Sequence, residues 1–169
     1  MVCRQLNFTQ NQMEKYVHDL LEDIDIKHPI QLNKFDISDR LGVYLHLYEG
    51  RSRGFEDEKE KYIFLNKNLT RPERFQDFAH ELGHILLHAG DQRKMHPLLI
   101  QLQEGQANSF MYELCVPTFM LENLHLPMDK QLAIQHLTCA FNVTSNFAAK
   151  RLNRYYQRIF TEWIAHGGF

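Results

Sequence analysis

The chain has 169 residues, 44% of them apolar, and its 19 Lys and Arg against 21 Asp and Glu leave a formal charge of −2. That length suits one domain able to bury its own core, the near-neutral charge speaks against a protein that binds nucleic acid over its whole surface, and no apolar run approaches the ~20 residues of a membrane span. Cys3, Cys115 and Cys139 form no C-x-x-C pair, which argues against a disulfide framework or a thiolate metal site, and the polar stretch 1–11 has no apolar leader core, so the expectation is a cytoplasmic protein.

Thr9 is placed to cap a first helix over about 10–23, with Met13, Tyr16, Val17, Leu20 and Leu21 on one face. Lys27-His28-Pro29 breaks it. Residues 35–41 read as a short helical turn stopped by Gly42. Segments 42–48 and 62–66 are rich in apolar, β-branched and aromatic residues and read as strands. Between them, 49–54 reads as a turn or loop and the charged run 56–61 as a solvated loop. Thr70, with Pro72 in the first turn and Glu73 three residues on, starts a helix that runs to about His88, with Gly90 placed to end it. A further helix spans about 97–115 and stops at Pro117. A run at 129–140, then Phe141-Asn142-Val143-Thr144, leads into a long final helix to about His166. Helices with a small antiparallel sheet make the fold class α+β.

His80-Glu81-Leu82-Gly83-His84 is an H-E-x-x-H sequence inside the predicted helix. Residues i and i+4 lie one turn apart on one face, about 5–6 Å between Cβ atoms, so two imidazoles can converge on one metal ion. Glu81 then stands beside the metal, where a carboxylate can take a proton from water. So short a motif arises by chance, and context strengthens it. Phe75, Phe78, Leu82, Ile85 and Leu86 follow helical spacing and bury one face, while His80, His84 and His88 share another. Gly83 costs about 1 kcal/mol in a helix relative to Ala, which makes sense if another backbone packs closely there.

A catalytic zinc needs a third protein ligand. His88 lies about 12 Å from His80 along an unbroken helix and cannot join both histidines on one ion. Near the helix C-terminus it suits a cationic ring. Glu104 and Asn108, at i and i+4 of the next helix, share a face. Glu104 can bind the metal while Asn108 holds a ligand histidine by its other ring nitrogen; the same spacing equally fits two solvated side chains.

The segments Arg74-Phe75-Gln76-Asp77-Phe78-Ala79-His80-Glu81-Leu82-Gly83-His84-Ile85-Leu86-Leu87-His88, Glu104-Gly105-Gln106-Ala107-Asn108-Ser109-Phe110 and Glu113-Leu114-Cys115-Val116-Pro117 resemble the ImmA/IrrE family of metallopeptidases. Cys115 and Val116 stand where the family usually has Leu and Met, and Met111 where it has Ala, all apolar exchanges. The resemblance covers about 36–154. It implies a mostly helical zincin-like domain and one zinc ion held by His80, His84 and Glu104, with Glu81 as general base; Asn108 and His88 are the supporting residues that position on the helices suggests. Length and the run of elements read as a single metallopeptidase domain over 1–169, with a catalytic part at about 1–125 and a helical, helix-turn-helix-like part at about 126–169. The implied substrate is a helix-turn-helix repressor of a prophage, integrative element or stress regulon, with an activating signal or partner and no membrane involvement. Tyr112, His88 and His96 are the candidates for a second oxyanion donor.

Two other classes compete. Lys150, Arg151, Arg154 and Arg158 recur at helical spacing on the last helix, as a DNA-reading helix would show. On a near-neutral chain such a stripe is more simply a solvated face or a docking surface for protein. The other alternative is a zinc-bound module that captures a repressor without cutting it, which would not need Glu81.

Overall fold

The structure, a computed structural model, describes residues 10–57, 60–88 and 96–166, with the side chains of 10 and 11 outside the description. The expected cap at Thr9 and stop at Gly90 lie outside the described residues. Helix α1 (Gln10–Asp23) is followed by a 3-10 turn (Pro29–Gln31) and α2 (Lys34–Arg40). Asn33 caps α2 by accepting from the Phe35 and Asp36 amides at 3.0 and 2.9 Å. Gly42 follows at φ +64°, a left-handed turn that glycine adopts without steric cost.

Three strands come next: β1 (Val43–Tyr48), β2 (Arg53–Glu56) and β3 (Lys61–Asn66). Their order is β1-β3-β2. The sheet is mixed, which corrects the antiparallel expectation: β1 runs parallel to β3, and only β2 is antiparallel to it. The connection from β1 to β3 is about a dozen residues, the length a parallel pair needs. β2 lies inside that connection, where the sequence reading had only loops, and folds back on the far edge of β3. Val43, Ile63 and Leu65 point into the core. The opposite face carries cross-strand ring pairs, Tyr44 on Tyr62 at 5.3 Å and Phe55 on Phe64 at 5.7 Å.

Against the inner face lies α3 (Arg71–Leu87), and beside it α4 (Pro97–Cys115). Phe75, Phe78, Ala79, Leu82 and Ile85 of α3 and Ala107, Phe110 and Leu114 of α4 are buried together. Gly83 fulfils its expected role: a Cβ there would stand 3.0 Å from the Phe110 ring and 3.2 Å from the Ala107 Cα. α1 packs on α4, with the Tyr16 and Phe110 rings 6.2 Å apart. After the short α5 (Thr118–Glu122), α6 (Lys130–Phe141) and α7 (Ser145–Ala165) pack on one another around Leu137, Phe141, Phe147 and Leu152. The fold is thus α+β and mostly helical. No helix among the described residues is long and apolar enough to cross a membrane.

The basic stripe of α7 is turned inward. Arg151, 2% exposed, donates to Glu113 Oε2 and Thr118 Oγ1 at 2.8 Å and to the Val116 carbonyl at 3.0 Å. Arg154 lies over the Tyr112 ring and donates to Ser109 at 3.2 Å. Arg158 pairs with Glu122 at 2.8 Å and faces Glu14 at 3.3 Å. Of the four basic residues that suggested a DNA-reading helix, only Lys150 points outward. The helical spacing is real, but carboxylates on α1, α4 and α5 meet it.

Candidate metal centre

Helix α3 begins with a complete capping box. Thr70 Oγ1 accepts from the Glu73 amide at 3.4 Å, and Glu73 Oε2 accepts from the Thr70 amide at 2.9 Å. That start fixes the phase of α3, so one face enters the core and the other carries His80, Glu81 and His84. His80 Nε2 and His84 Nε2 lie 3.1 Å apart. Glu104 reaches over from α4, its carboxylate oxygens 3.4 Å from His80 Nε2 and 3.3 Å from His84 Nε2. Metal–ligand bonds of about 2.0–2.1 Å at tetrahedral angles place donor atoms about 3.3–3.4 Å apart. The three observed separations match those edges, so the two imidazoles and one carboxylate fit zinc. Glu104 is 44% exposed, which leaves the cluster open to solvent on that side.

His84 is oriented by a relay. The Gln106 side-chain oxygen lies 2.9 Å from His88 Nε2, and His88 Nδ1 lies 3.2 Å from His84 Nδ1. With the Gln106 oxygen accepting, Nε2 carries the His88 proton. Nδ1 of His88 then accepts from Nδ1–H of His84, which leaves the His84 Nε2 lone pair facing the donor cluster. Burial supports the required neutral rings. It pushes His84 down to about 4, helped by the His80 charge, and lowers His88 despite the Gln106 hydrogen bond. His88 caps the C-terminus of α3, as its position led one to expect, and steadies its neighbour, while burial disfavours the cationic ring there.

Glu81 projects beside the cluster. The Gly54 N–H, on edge strand β2, donates to Glu81 Oε2 at 2.7 Å. Burial raises the Glu81 carboxyl above the usual range, opposed by the Gly54 hydrogen bond and the His80 charge. A side chain at Gly54 would press on the Glu81 carbonyl at 3.1 Å and on Ile85 at 3.0 Å, so glycine is what lets the strand approach the helix.

The structure brings together His80, Glu81, His84, Glu104 and His88. It does not bring in Asn108, which is exposed and, among the described residues, makes no hydrogen bond to a ring nitrogen. Gln106, two residues earlier, instead contacts His88 at 2.9 Å and reaches the ligand histidine His84 only through that ring. Sequence reasoning missed Gln106 and Gly54; the His84–His88 spacing of four was the available signal that an acceptor should face His88. Tyr112 is held between Phe147, with ring centroids 4.7 Å apart, and Arg154. His96 caps α4 by accepting from the Leu98 amide at 3.3 Å.

Residues 27–153 match the IrrE N-terminal-like domain family. The chain belongs to that family. Its kind is the zinc-type ImmA/IrrE peptidase, in agreement with the resemblance of the motifs. The chain is 37% identical over 148 residues to the phage-like element PBSX protein XkdA of Bacillus subtilis, covering 88% of this chain and 75% of that one. It is 33% identical over 154 residues to the YqaB protein of the same organism, covering 91% and 90%. A shorter match, 35% over 72 residues, reaches immunity region protein 2 of Bacillus phage phi105, with 38% of this chain and 44% of that one covered. Among solved structures, a Mycobacterium tuberculosis transcriptional regulator superposes with a TM-score of 0.59 at 17% identity, over 86% of this chain. The chain spans 56% of that regulator's length, and the likeness shows the fold alone.

Proposed function

We propose that this IrrE-like domain is a zinc-dependent endopeptidase whose substrate is a helix-turn-helix transcriptional repressor, cut to relieve silencing of a mobile element. The observation that carries the reading is the cluster itself: His80, His84 and Glu104 with donor atoms 3.1–3.4 Å apart, and Glu81 held beside them by Gly54. His80, His84 and Glu104 would hold the zinc. When bound, zinc supplies Lewis-acid chemistry, drawing electron density from a water or a peptide carbonyl.

The residues of the chain do the rest. The Gly54 N–H occupies Glu81 Oε2, which leaves Oε1 to take a proton from the attacking water and to hand it on to the leaving amine. The raised Glu81 pKa suits a group that must both accept and return a proton. His88 and Gln106 hold the His84 ring in one tautomer through the cycle. The repressor substrate rests on the ImmA/IrrE resemblance. The names of two relatives, one of a phage-like element and one of a phage immunity region, agree with it. We take residues 1–169 to work as one domain, because Arg151 of the C-terminal helix is ion-paired to Glu113 of α4 at 2.8 Å.

The test is co-expression with the helix-turn-helix repressor encoded on the same element, comparing wild type with Glu81→Gln and Glu104→Ala. Wild type yields repressor fragments and carries one zinc; Glu81→Gln keeps the zinc and leaves the repressor whole; Glu104→Ala loses both. A Glu81→Gln variant that still relieves repression would sink the peptidase reading in favour of capture without cleavage.

A further inference from the structure

A cavity of about 520 Å³ opens at the capped end of α3, away from the histidine cluster. Its walls come from the 3-10 turn, the start of α2, the start of α3 and the end of α6. Three cations line it: Lys34, Arg71 and Arg74. Its apolar wall includes Phe75 and Phe141, both buried, while Phe35 stands at the rim 56% exposed.

Among the described residues no carboxylate pairs with these cations. Lys34 is only 7% exposed, yet no carboxylate or hydrogen-bond acceptor among the described residues meets its ammonium, which rests 4.6 Å over the Phe35 ring. Arg74 Nε is buried without a hydrogen-bond partner. The nearby carboxylates are engaged elsewhere: Asp36 accepts from Asn33 at 2.5 Å, and Glu73 from the Thr70 amide at 2.9 Å. Burial lowers the Lys34 pKa, and the like charges of Arg74 and Arg71 lower it further. A lone lysine can run its stem along apolar surface and keep its head in water. That habit does not explain two arginines lining the same cavity, one with a buried unsatisfied nitrogen.

We propose that this cavity is a binding site for a small aromatic organic phosphate of the nucleotide type. A phosphate monoester carries about −1.5 to −2 charges and offers three acceptor oxygens, which suits two guanidinium forks and an ammonium; a single carboxylate would leave cations unmet. The volume lies within the roughly 300–1,000 Å³ of small-molecule sites, and a flat ring can lie against Phe35, which stands exposed at the rim. Arg71, Arg74 and Phe75 belong to the helix that carries His80, Glu81 and His84. A ligand here therefore loads the active-site helix about 9 Å along its axis from the first histidine.

The experiment is calorimetric titration of the zinc-loaded full chain, in phosphate-free buffer at low salt. The probes are adenosine 5′-monophosphate, inorganic phosphate and adenosine. The monophosphate should bind at least about tenfold more tightly than either fragment. Lys34→Gln and Arg74→Gln should each weaken it by about tenfold or more, because each removes a charge-assisted hydrogen bond. Zinc content and the circular dichroism melt report whether these variants are folded. Phe35→Ser changes an exposed ring and needs no repacking. It should weaken the monophosphate and leave inorganic phosphate unchanged, which keeps the test decisive if a cavity variant fails to fold. Equal monophosphate affinity in wild type and Lys34→Gln would overturn the site, as would no binding by wild type up to about 10 mM. Equal affinity for the monophosphate and inorganic phosphate would overturn the aromatic half of the proposal.

Discussion

Gly83→Ala and Gly105→Ala form a matched pair that tests how the two metal-bearing helices meet. Both add one methyl to a helix interior, and both gain about 1 kcal/mol of helix propensity. They differ in what the methyl meets. At Gly83 it stands 3.0 Å from the buried Phe110 ring and 3.2 Å from the Ala107 backbone, and neither neighbour is a flexible chain end. At Gly105 it meets nothing within 4 Å. Overpacking of this kind costs about 1–3 kcal/mol. Gly105→Ala should therefore be more stable than wild type by up to about 1 kcal/mol, and Gly83→Ala less stable by about 0–2 kcal/mol. The gap of about 1–3 kcal/mol between them isolates the packing term. Urea denaturation in the presence of a chelator measures it without metal binding. A zinc competition titration supplies a second readout. Ala107 is three residues from Glu104, and metal sites tolerate only about 0.2 Å of drift, so Gly83→Ala should also bind zinc more weakly while Gly105→Ala does not. A Gly83→Ala variant as stable as Gly105→Ala would refute the close approach of α3 and α4.

His88→Ala should lower zinc affinity by about 10–100-fold while leaving one site per chain, because it removes the acceptor that fixes the His84 tautomer; competition with a chelating dye reads it. Arg151→Ala leaves Glu113 charged and buried, and should cost about 3–5 kcal/mol in denaturant unfolding; a loss under about 1 kcal/mol would mean the pair is more solvated than its 2.8 Å contact implies. Glu14 is raised from 4.5 to about 6, first by burial and then by Glu113, so the folded state holds its proton more tightly than the unfolded chain. Its stabilising contribution is present below about pH 4.5 and is lost as pH rises through about 6. Glu14→Gln should therefore gain on wild type across that window by about 1–2 kcal/mol, measured as the difference of two pH–stability curves.

Helices α3 and α4 were legible because local chemistry alone sets their ends and their phase. Thr70 and Glu73 start one, His96 with Pro97 starts the other, and apolar residues at helical spacing choose the buried faces. Once the face of α3 is known, His80 and His84 can be named, while Glu104 was left open by spacing and came from the family resemblance. What was not legible depends on how elements cross. β2 has four residues, one of them glycine, and no burial alternation of its own, so nothing in 53–56 marks a strand until β3 lies beside it. Side-chain alternation tells which face a strand buries, but β1 and β3 alternate in the same way whether they run parallel or antiparallel. Asn108 was named and Gln106 missed for the same reason. Spacing on α4 says that Asn108 shares a face with Glu104. It does not say which turn of α4 lies opposite His88, because that is set by the height at which α4 crosses Gly83. The arginines of α7 repeat the lesson with charge. Their spacing describes a stripe, and the direction of that stripe is decided by Glu14, Glu113 and Glu122, which come from three other helices. A residue's role could be read from sequence where its partner lies within a turn or two on the same helix, and not where the partner arrives from elsewhere in the chain.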